Sequence, residues 1–197
     1  MLDAVGVGAA HVFANADTGL IALLLAATRP DRVTSVTLVN GYARLTSSDD
    51  YPYGDPPSIV EVMREVRDPD VRSSVDVLTW IAPSVAADAR FRCWWDAVGR
   101  RGASPRSAEL MYSEFLHADV RGLLARVTAP VLLLSRLDCP SYDPGHGRYL
   151  AAHLPDARLV EHPDPNGPWF LGDVGWVLDQ FADFTHRVRT AQKARPL

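Results

Sequence analysis

A turn between a short apolar strand and a long apolar helix is where this chain could concentrate side-chain chemistry. Residues 10–14 (AHVFA) predict a buried strand, and residues 19–28 (GLIALLLAAT) predict a helix that is apolar nearly all round. A side chain in such a turn lies at the carboxyl end of a sheet, near N–H groups that can stabilise a negatively charged oxygen. The turn holds Ala16, whose methyl group cannot attack a carbonyl, followed by the carboxylate residue Asp17.

The elements around this turn predict an α/β fold. Further strands are expected at 33–39, 130–134 and 158–161, and further helices at 147–153 and 173–187. Strands that alternate with helices imply right-handed crossovers and a parallel sheet, here of about four strands covered by helices. We therefore predict an α/β core made from residues 1–45 and 127–197.

The middle of the chain, residues 46–126, shows no strand pattern and predicts a helical cap inserted into the core. Prolines break its helical patches into short elements. One of its helices carries a stripe of bulky apolar side chains: Phe91, Trp94, Trp95 and Val98. Two interpretations of this stripe stay open, packing onto the core and lining a ligand cavity.

Composition excludes several classes of function. The formal charge of −4 and the pI near 5.8 give no positive surface for nucleic acid or an anionic membrane. Two cysteines, Cys93 and Cys139, are too few for a disulfide framework, and no signal peptide is visible, so we expect a cytoplasmic protein. No cofactor motif or metal-ligand cluster appears, and no apolar run is long enough to span a membrane.

Five segments carry a resemblance to a known superfamily. Residues 10–43 match the strand, nucleophile turn, helix and strand of α/β-hydrolases, in which the turn is written G-x-S-x-G. Four motifs follow in the same order: DYPYG at 50–54, FRCWWDAVGRRGASP at 91–105, HGRYLAAHLP at 146–155 and FLGD at 170–173. The chain most resembles the esterase-like domains of actinobacterial hydrolase–adenylate cyclase fusion proteins. The resemblance implies an N-terminally truncated chain that lacks upstream strands and the loop completing the oxyanion hole.

The resemblance assigns three positions of a catalytic triad, two of which hold residues without a catalytic group. The nucleophile position falls on Ala16, counted back from the proline that precedes the next strand, and the histidine position falls on Gly167. The acid position is retained as Asp138. Without a histidine to orient, we expect Asp138 to have a structural role.

Two other residues could replace the missing groups. Asp17 would correspond to the aspartate nucleophile of haloalkane dehalogenases, but that frame lengthens the strand by one residue and reverses which side chains face the site. The alternative is a solvent-facing or helix-capping carboxylate. His162, on the last strand, is the histidine nearest to the loop that contains Gly167, although a surface or packing role is the simpler interpretation.

Three functional hypotheses follow. The preferred one is a catalytically degenerate homologue that binds a small apolar molecule between sheet and cap, in a pocket lined by Trp169 and a cap aromatic such as Trp94 or Trp95. The second is an active hydrolase or lyase that uses Asp17, Asp138 or His162 for proton transfer. The third is a degenerating gene fragment without a selected function. None of them requires a cofactor.

The strand at residues 10–14 also predicts an assembly. The superfamily's strand order places this strand in the middle of the sheet, next to a strand that the chain lacks. An exposed edge of this kind promotes aggregation unless it is covered. We expect a homodimer in which two such edges pair across a two-fold axis, or else coverage by the N-terminal residues or by a cap segment.

Overall fold

A computed structural model describes residues 2–67 and 75–194, with a sheet of four parallel strands at the centre. The strands lie in the order β1-β2-β3-β4, with the bounds Ala10–Asn15, Val33–Val39, Val131–Arg136 and Ala157–His162. Each neighbouring pair runs parallel. The predicted α/β class with a small parallel sheet is therefore confirmed.

The helices follow the predicted alternation with the strands. Their bounds are α1 Thr18–Thr28, α2 Pro57–Arg67, α3 Val77–Ile81, α4 Ala89–Gly102, α5 Pro105–His117, α6 Gly145–His153 and α7 Val174–Lys193. Short 3-10 turns lie at Asp3–Val5, Pro30–Arg32 and Arg121–Arg126. The closing helix α7 continues several residues beyond the predicted end at 187, because its amphipathic pattern places Val188 in the core.

Helices cover both faces of the sheet. Helices α1 and α6 pack on one face, where Leu23 and Leu150 are fully buried. Helix α7 packs on the other face, with Val177 and Phe184 against Leu132 and its neighbours on β3. Strand β3 is buried along its whole length, which explains why its sequence is a continuous apolar run.

The helices α2 to α5 lie between β2 and β3 in the chain. Helix α4 uses part of its apolar stripe for packing, because Phe91 and Trp95 contact the cluster around Leu78 on α3. Trp94 and Val98, from the same stripe, stay 46% and 45% exposed. The division into core and cap at residues 46 and 126 stays a prediction, and residues 68–74 of that cap lie outside the described part.

The longest helix, α7, is a surface helix that buries one side. Asp173 caps its N-terminus by accepting a hydrogen bond from the Trp176 amide at 2.9 Å. In residues 2–67 and 75–194, no helix combines the length and the apolar character needed to cross a membrane.

Candidate functional site

The turn between β1 and α1 has the strained backbone expected of a nucleophile turn. Ala16 has a φ of 47°, in the left-handed region that residues other than glycine seldom adopt. Two hydrogen bonds hold it there: its amide donates to the Val39 carbonyl at 2.9 Å, and its carbonyl accepts from the Gly19 amide at 2.8 Å. The strained residue is the position that the sequence resemblance assigned to the nucleophile.

The loop after β4 is tied to the carboxyl ends of β1 and β2. The side-chain amides of Asn15 and Asn40 donate to the Gly167 carbonyl at 3.3 and 3.5 Å. The Asn15 amide oxygen also accepts from the Trp169 N–H at 3.0 Å. These bonds place Ala16 and Gly167 in the walls of one cavity, so the structure brings together the two assigned positions.

A buried arginine is hydrogen-bonded to the backbone of this loop. Arg136, the last residue of β3, is fully buried and donates to four loop carbonyls, those of Asn166, Pro168, Trp169 and Leu171, at 2.8 to 3.3 Å. These hydrogen bonds satisfy loop carbonyls that would otherwise be buried without a partner.

The Asp164 carboxylate lies 3.7 Å from the Arg136 guanidinium and balances its positive charge. Its carboxylate accepts hydrogen bonds from the backbone amides of Asn166 and Asp173, at 2.8 and 2.9 Å. Burial alone would raise the pKa of Asp164, but these amides and the Arg136 charge outweigh it and lower the pKa. The loop is thus built around a buried ion pair.

The FLGD motif completes the loop. Gly172 has a φ of 66°, and a Cβ placed on it would lie 2.0 Å from the Asp164 carboxylate. Only glycine fits this position, because both the backbone conformation and the approach of the carboxylate exclude a side chain. The motif therefore marks the point where the loop closes over Asp164.

A cavity of about 360 Å³ lies between the sheet end and the helices α2 to α5. Its aromatic lining residues are Tyr42, Trp80, Trp95, Tyr112 and Phe170. Its polar lining residues are Asn15, Asp17, Asp55 and Ser141. A space of this size, with mostly apolar walls and a few polar groups, has the form of a small-molecule site.

Asp17 lies at the N-cap position of α1, is partly exposed and lines this cavity. Its side chain makes no capping bond to α1 and instead accepts a hydrogen bond from the Tyr42 hydroxyl. Burial raises the pKa of Tyr42 well above its ordinary value, and the negative charges of Asp17 and Asp55 raise it further.

Trp169 and Trp94 do not line the cavity, which corrects the predicted pocket. The Trp169 ring packs edge-on against Phe13, with centroids 5.3 Å apart, in the cluster on the α7 face of the sheet. The hydrogen bond from its amide to Asn15 fixes the backbone so that the ring lies on that face. Trp94 is 46% exposed and packs edge-on against Phe170, with ring centroids 6.1 Å apart, and its neighbour Trp95 lines the cavity instead.

His162 and Asp138 also lie outside the cavity lining. His162 stacks on Trp176 with ring centroids 4.4 Å apart, and its Nε2 lies 3.5 Å from the Asp173 carboxylate. Asp138 is exposed in the turn after β3. Of the three residues offered for proton transfer, Asp17 is the one that reaches the cavity.

Sequence reasoning missed a buried histidine behind the cavity. His146 is 5% exposed, and its Nδ1 is hydrogen-bonded to the Tyr51 hydroxyl at 2.6 Å. Tyr42 and Tyr142 also contact its ring. Burial lowers the pKa of His146 to about 4, so the ring is neutral at pH 7. The signal was present in two separate motifs, DYPYG and HGRYLAAHLP, but nothing in either showed that they meet.

No metal centre is formed within the described ranges, since no group of three or more His, Cys, Asp or Glu residues there could hold an ion. The chemistry that the structure shows at this site is that of the cavity walls. Those walls offer hydrogen bonds, negative charge and aromatic surface.

A parallel sheet whose first strand ends in a strained turn, facing a cavity under inserted helices, defines an α/β-hydrolase fold. Comparison with known proteins agrees, and the chain belongs to the α/β-hydrolase superfamily. It is 32% identical over 177 residues to the pimeloyl-(acyl-carrier protein) methyl ester esterase of Neisseria meningitidis serogroup C, covering 86% of this chain and 67% of that protein.

Two further comparisons extend this result. The esterase of the same name from Neisseria meningitidis serogroup A is 28% identical over 186 residues, which cover 91% of this chain and 58% of that protein. A hydrolase from Oleispira antarctica shares the fold with a TM-score of 0.79 and 15% identity, over 93% of this chain and 67% of that one. No model of a protein family matches the chain. The chain thus spans about three fifths to two thirds of the length of these relatives.

Proposed function

We propose that this chain binds a small molecule in the cavity under its inserted helices and does not catalyse ester hydrolysis. The observation that carries the proposal is Ala16, which occupies the strained nucleophile turn with a φ of 47° yet has no nucleophilic atom. The turn has the backbone conformation of a nucleophile turn but carries no nucleophilic side chain at Ala16. The cavity beside that turn is the feature that remains available for binding.

The histidine position supports the same proposal. The Gly167 amide donates to the Ile81 carbonyl at 2.7 Å, and a Cβ on Gly167 would lie 3.2 Å from that oxygen. A side chain at this position would require the Ile81 carbonyl at the end of α3 to shift by a few tenths of an ångström, so the loop packs tightly against α3 here. We infer that nucleophile and general base are both lost, which in triad enzymes costs on the order of a millionfold in rate.

A second candidate is an active hydrolase or lyase with a non-standard site. The observation that favours it is Asp17, whose carboxylate faces the cavity and is hydrogen-bonded to Tyr42. Asp17 follows the strained residue, however, and its carboxylate is turned toward the tyrosine. If this candidate is correct, turnover should be lost in Asp17→Asn and unaffected in Asp138→Asn, because Asp138 lies outside the cavity lining.

One experiment separates the two candidates. Purified protein is assayed with p-nitrophenyl butyrate, and the binding of small apolar molecules is measured by thermal shift. We expect background hydrolysis together with ligand-dependent stabilisation, since a ligand at a hundred times its Kd stabilises the folded state by about 2.7 kcal/mol. Turnover at ordinary enzymatic rates would overturn the proposal, and so would the absence of any shift.

Two neighbouring tryptophans provide a matched control for the location of binding. Trp95→Ala removes a wall of the cavity, whereas Trp94→Ala removes an exposed side chain of the same helix. Ligand affinity should fall in the first variant and stay within twofold in the second, about 0.4 kcal/mol. Equal losses would place the binding elsewhere.

As part of the same proposal we assign the protein to the cytoplasm, which the free thiols of Cys93 and Cys139 support.

A further inference from the structure

A groove between the helices α1 and α5 lies on the surface near the cavity. It has a volume of about 330 Å³, and seven of its eight lining residues are apolar, with Glu114 as the exception. Three of the apolar side chains, those of Ile21, Leu24 and Met111, are exposed. Apolar side chains gathered along one groove are typical of a surface that binds an apolar ligand or partner.

A smaller space lies between this groove and the cavity. This middle space has a volume of about 190 Å³ and shares Asp17 and Tyr112 with the cavity. It shares Met111 and Phe115 with the groove. Its other walls are two small side chains, Ala103 and Ala108. The three spaces therefore follow one another, and each borders the next at the residues that they share.

The walls of this path advance along both helices in the same order. On α1 they run from Asp17 beside the cavity to Leu24 in the groove, a stretch of about 10 Å at the rise of an α-helix. On α5 they run from Ala108 to Met111 and on to Phe115, with the spacing of one helical face. The path is thus elongated and follows the line between two neighbouring helices.

From this arrangement we infer that the groove is a second subsite, which binds the unbranched apolar tail of a ligand whose head lies in the cavity. The inference rests on the proposed function and adds the shape of the ligand to it. The tail passes Ala108 in the middle space and lies against Leu24 and Met111 in the groove. Binding removes both the tail and these exposed side chains from water, which is the source of the free-energy gain.

The path selects a ligand by shape and not by charge. The Asp17 carboxylate at its start already accepts a hydrogen bond from the Tyr42 hydroxyl, so an apolar chain that passes it does not take away its partner. A compact molecule can fill the cavity but cannot also extend between α1 and α5. An unbranched chain buries apolar surface in all three spaces and should therefore bind more tightly than a compact molecule of the same composition.

Alcohols of increasing length test the path. Binding of 1-butanol, 1-hexanol, 1-octanol and 1-decanol to the intact chain is measured by calorimetry at pH 7. We expect the affinity to rise about fourfold for each methylene that the path buries, through to 1-decanol. Cyclooctanol has as many carbons as 1-octanol in a compact ring and should bind at least about tenfold more weakly than 1-octanol.

The outcomes separate this inference from the proposed function. Equal affinities for 1-hexanol and 1-decanol, or for 1-octanol and cyclooctanol, would overturn the second subsite and leave binding in the cavity intact. Binding of none of the alcohols would overturn both.

A variant that fills the middle space locates the tail. Ala108→Phe should weaken binding of 1-decanol at least about tenfold and leave 1-butanol, which is short enough for the cavity, within twofold. Ala182→Phe adds the same ring at an exposed position on α7, outside the lining of the three spaces, and serves as the control. A loss of 1-decanol affinity of the same size in both variants, or in neither, would show that the tail does not use this path.

Binding of 1-butanol also reports that each variant is folded with its cavity intact. If Ala108→Phe fails this test, Met111→Trp blocks the same path from an exposed position on α5 and should give the same loss of 1-decanol affinity. A second copy of the chain is the rival occupant of the groove. An affinity for 1-decanol that falls as light scattering shows the chains associating would mean that another chain fills the groove, and the inference would be wrong.

Discussion

Two regions of this molecule differ in how their surfaces are completed. At the carboxyl end of the sheet, the two terminal guanidinium nitrogens of Arg136 and the carboxylate of Asp164 are paired with loop backbone. On the flank made by β1 and α1, Ile21, Leu24 and Leu25 are 56%, 45% and 38% exposed. Within the described part, β1 pairs with β2 alone. One region is closed by specific bonds, and the other is open and apolar.

The difference indicates where a function can reside. A site needs groups held in one geometry, and the sheet end has them although its two assigned catalytic positions are occupied by alanine and glycine. The flank exposes an apolar surface, which suits packing against another surface. The predictions below test whether the closed region depends on its specific bonds and the open region on a partner.

Arg136→Met should have the largest effect. The methionine leaves four loop carbonyls without donors and Asp164 without its counter-charge, so we expect a loss of about 3–5 kcal/mol in the free energy of unfolding. Urea denaturation measures it. The control is Arg148→Met, since Arg148 is 60% exposed in its ion pair with Glu161 and should cost less than about 1 kcal/mol. Equal costs would show that the loop does not depend on the buried pair.

His146 should make the closed region sensitive to acid. Its pKa of about 4 in the folded protein lies below the 6.5 of an unperturbed histidine, so protonation favours the unfolded chain. The stabilisation is fully present above pH 6.5 and is lost as the pH falls toward 4, by roughly 3 kcal/mol in total. Stability measured between pH 7 and pH 4 should fall less steeply in His146→Gln than in the wild type. Parallel curves would contradict the assignment, and His117→Gln, at an exposed position, is the control.

Gly172→Ala should have a smaller effect on the same loop. The residue has a φ of 66° and its new methyl group would meet the Asp164 carboxylate, so we expect a cost of about 1–3 kcal/mol. Gly99→Ala, in α4 with open space around it, should instead stabilise the protein by up to about 1 kcal/mol. Thermal melting of both variants gives the comparison, and a destabilisation of similar size in both would show that the loop conformation is not the cause.

Sequence reasoning predicted what local patterns determine. The apolar runs placed all four strands correctly, since β3 needs burial on both faces and β2 is rich in β-branched residues. The assigned position of Ala16 coincides with the strained turn because turn spacing is also local. The Tyr51–His146 contact joins residues 95 positions apart, and the burial of Arg136 depends on a loop 30 residues later. Such contacts form only after the chain has folded, so no local pattern reports them.

Trp169 shows the same limit in a prediction that was wrong. Its position in the loop was assigned by motif, but the direction of its ring depends on one hydrogen bond to Asn15 and on the space beside Phe13. A motif gives the place of a residue in the chain and not the face of the sheet that its side chain covers. For the same reason Trp95, and not Trp94, lines the cavity.

Substitutions on the flank made by β1 and α1 should have the smallest effect on the free energy of unfolding and a large effect on assembly. We propose that β1 of one chain pairs with β1 of a second copy across a two-fold axis, giving a sheet of eight strands. We expect the same operation to bring the exposed apolar residues of α1 closer to those of the partner, because a two-fold axis places the same surface on both sides of the contact. In the described residues no N-terminal or cap segment pairs with the free side of β1.

Light scattering on the wild type and on Leu24→Lys tests this assembly. Leu24 is 45% exposed in the groove between α1 and α5, so the substitution should change monomer stability by less than about 0.5 kcal/mol. In a dimer it would place two like charges near the axis, where burial makes them costly. We expect twice the chain mass for the wild type and the single-chain mass for the variant. A wild type that stays monomeric at high concentration, with β1 still unpaired on its free side, would show that an exposed strand edge is tolerated here.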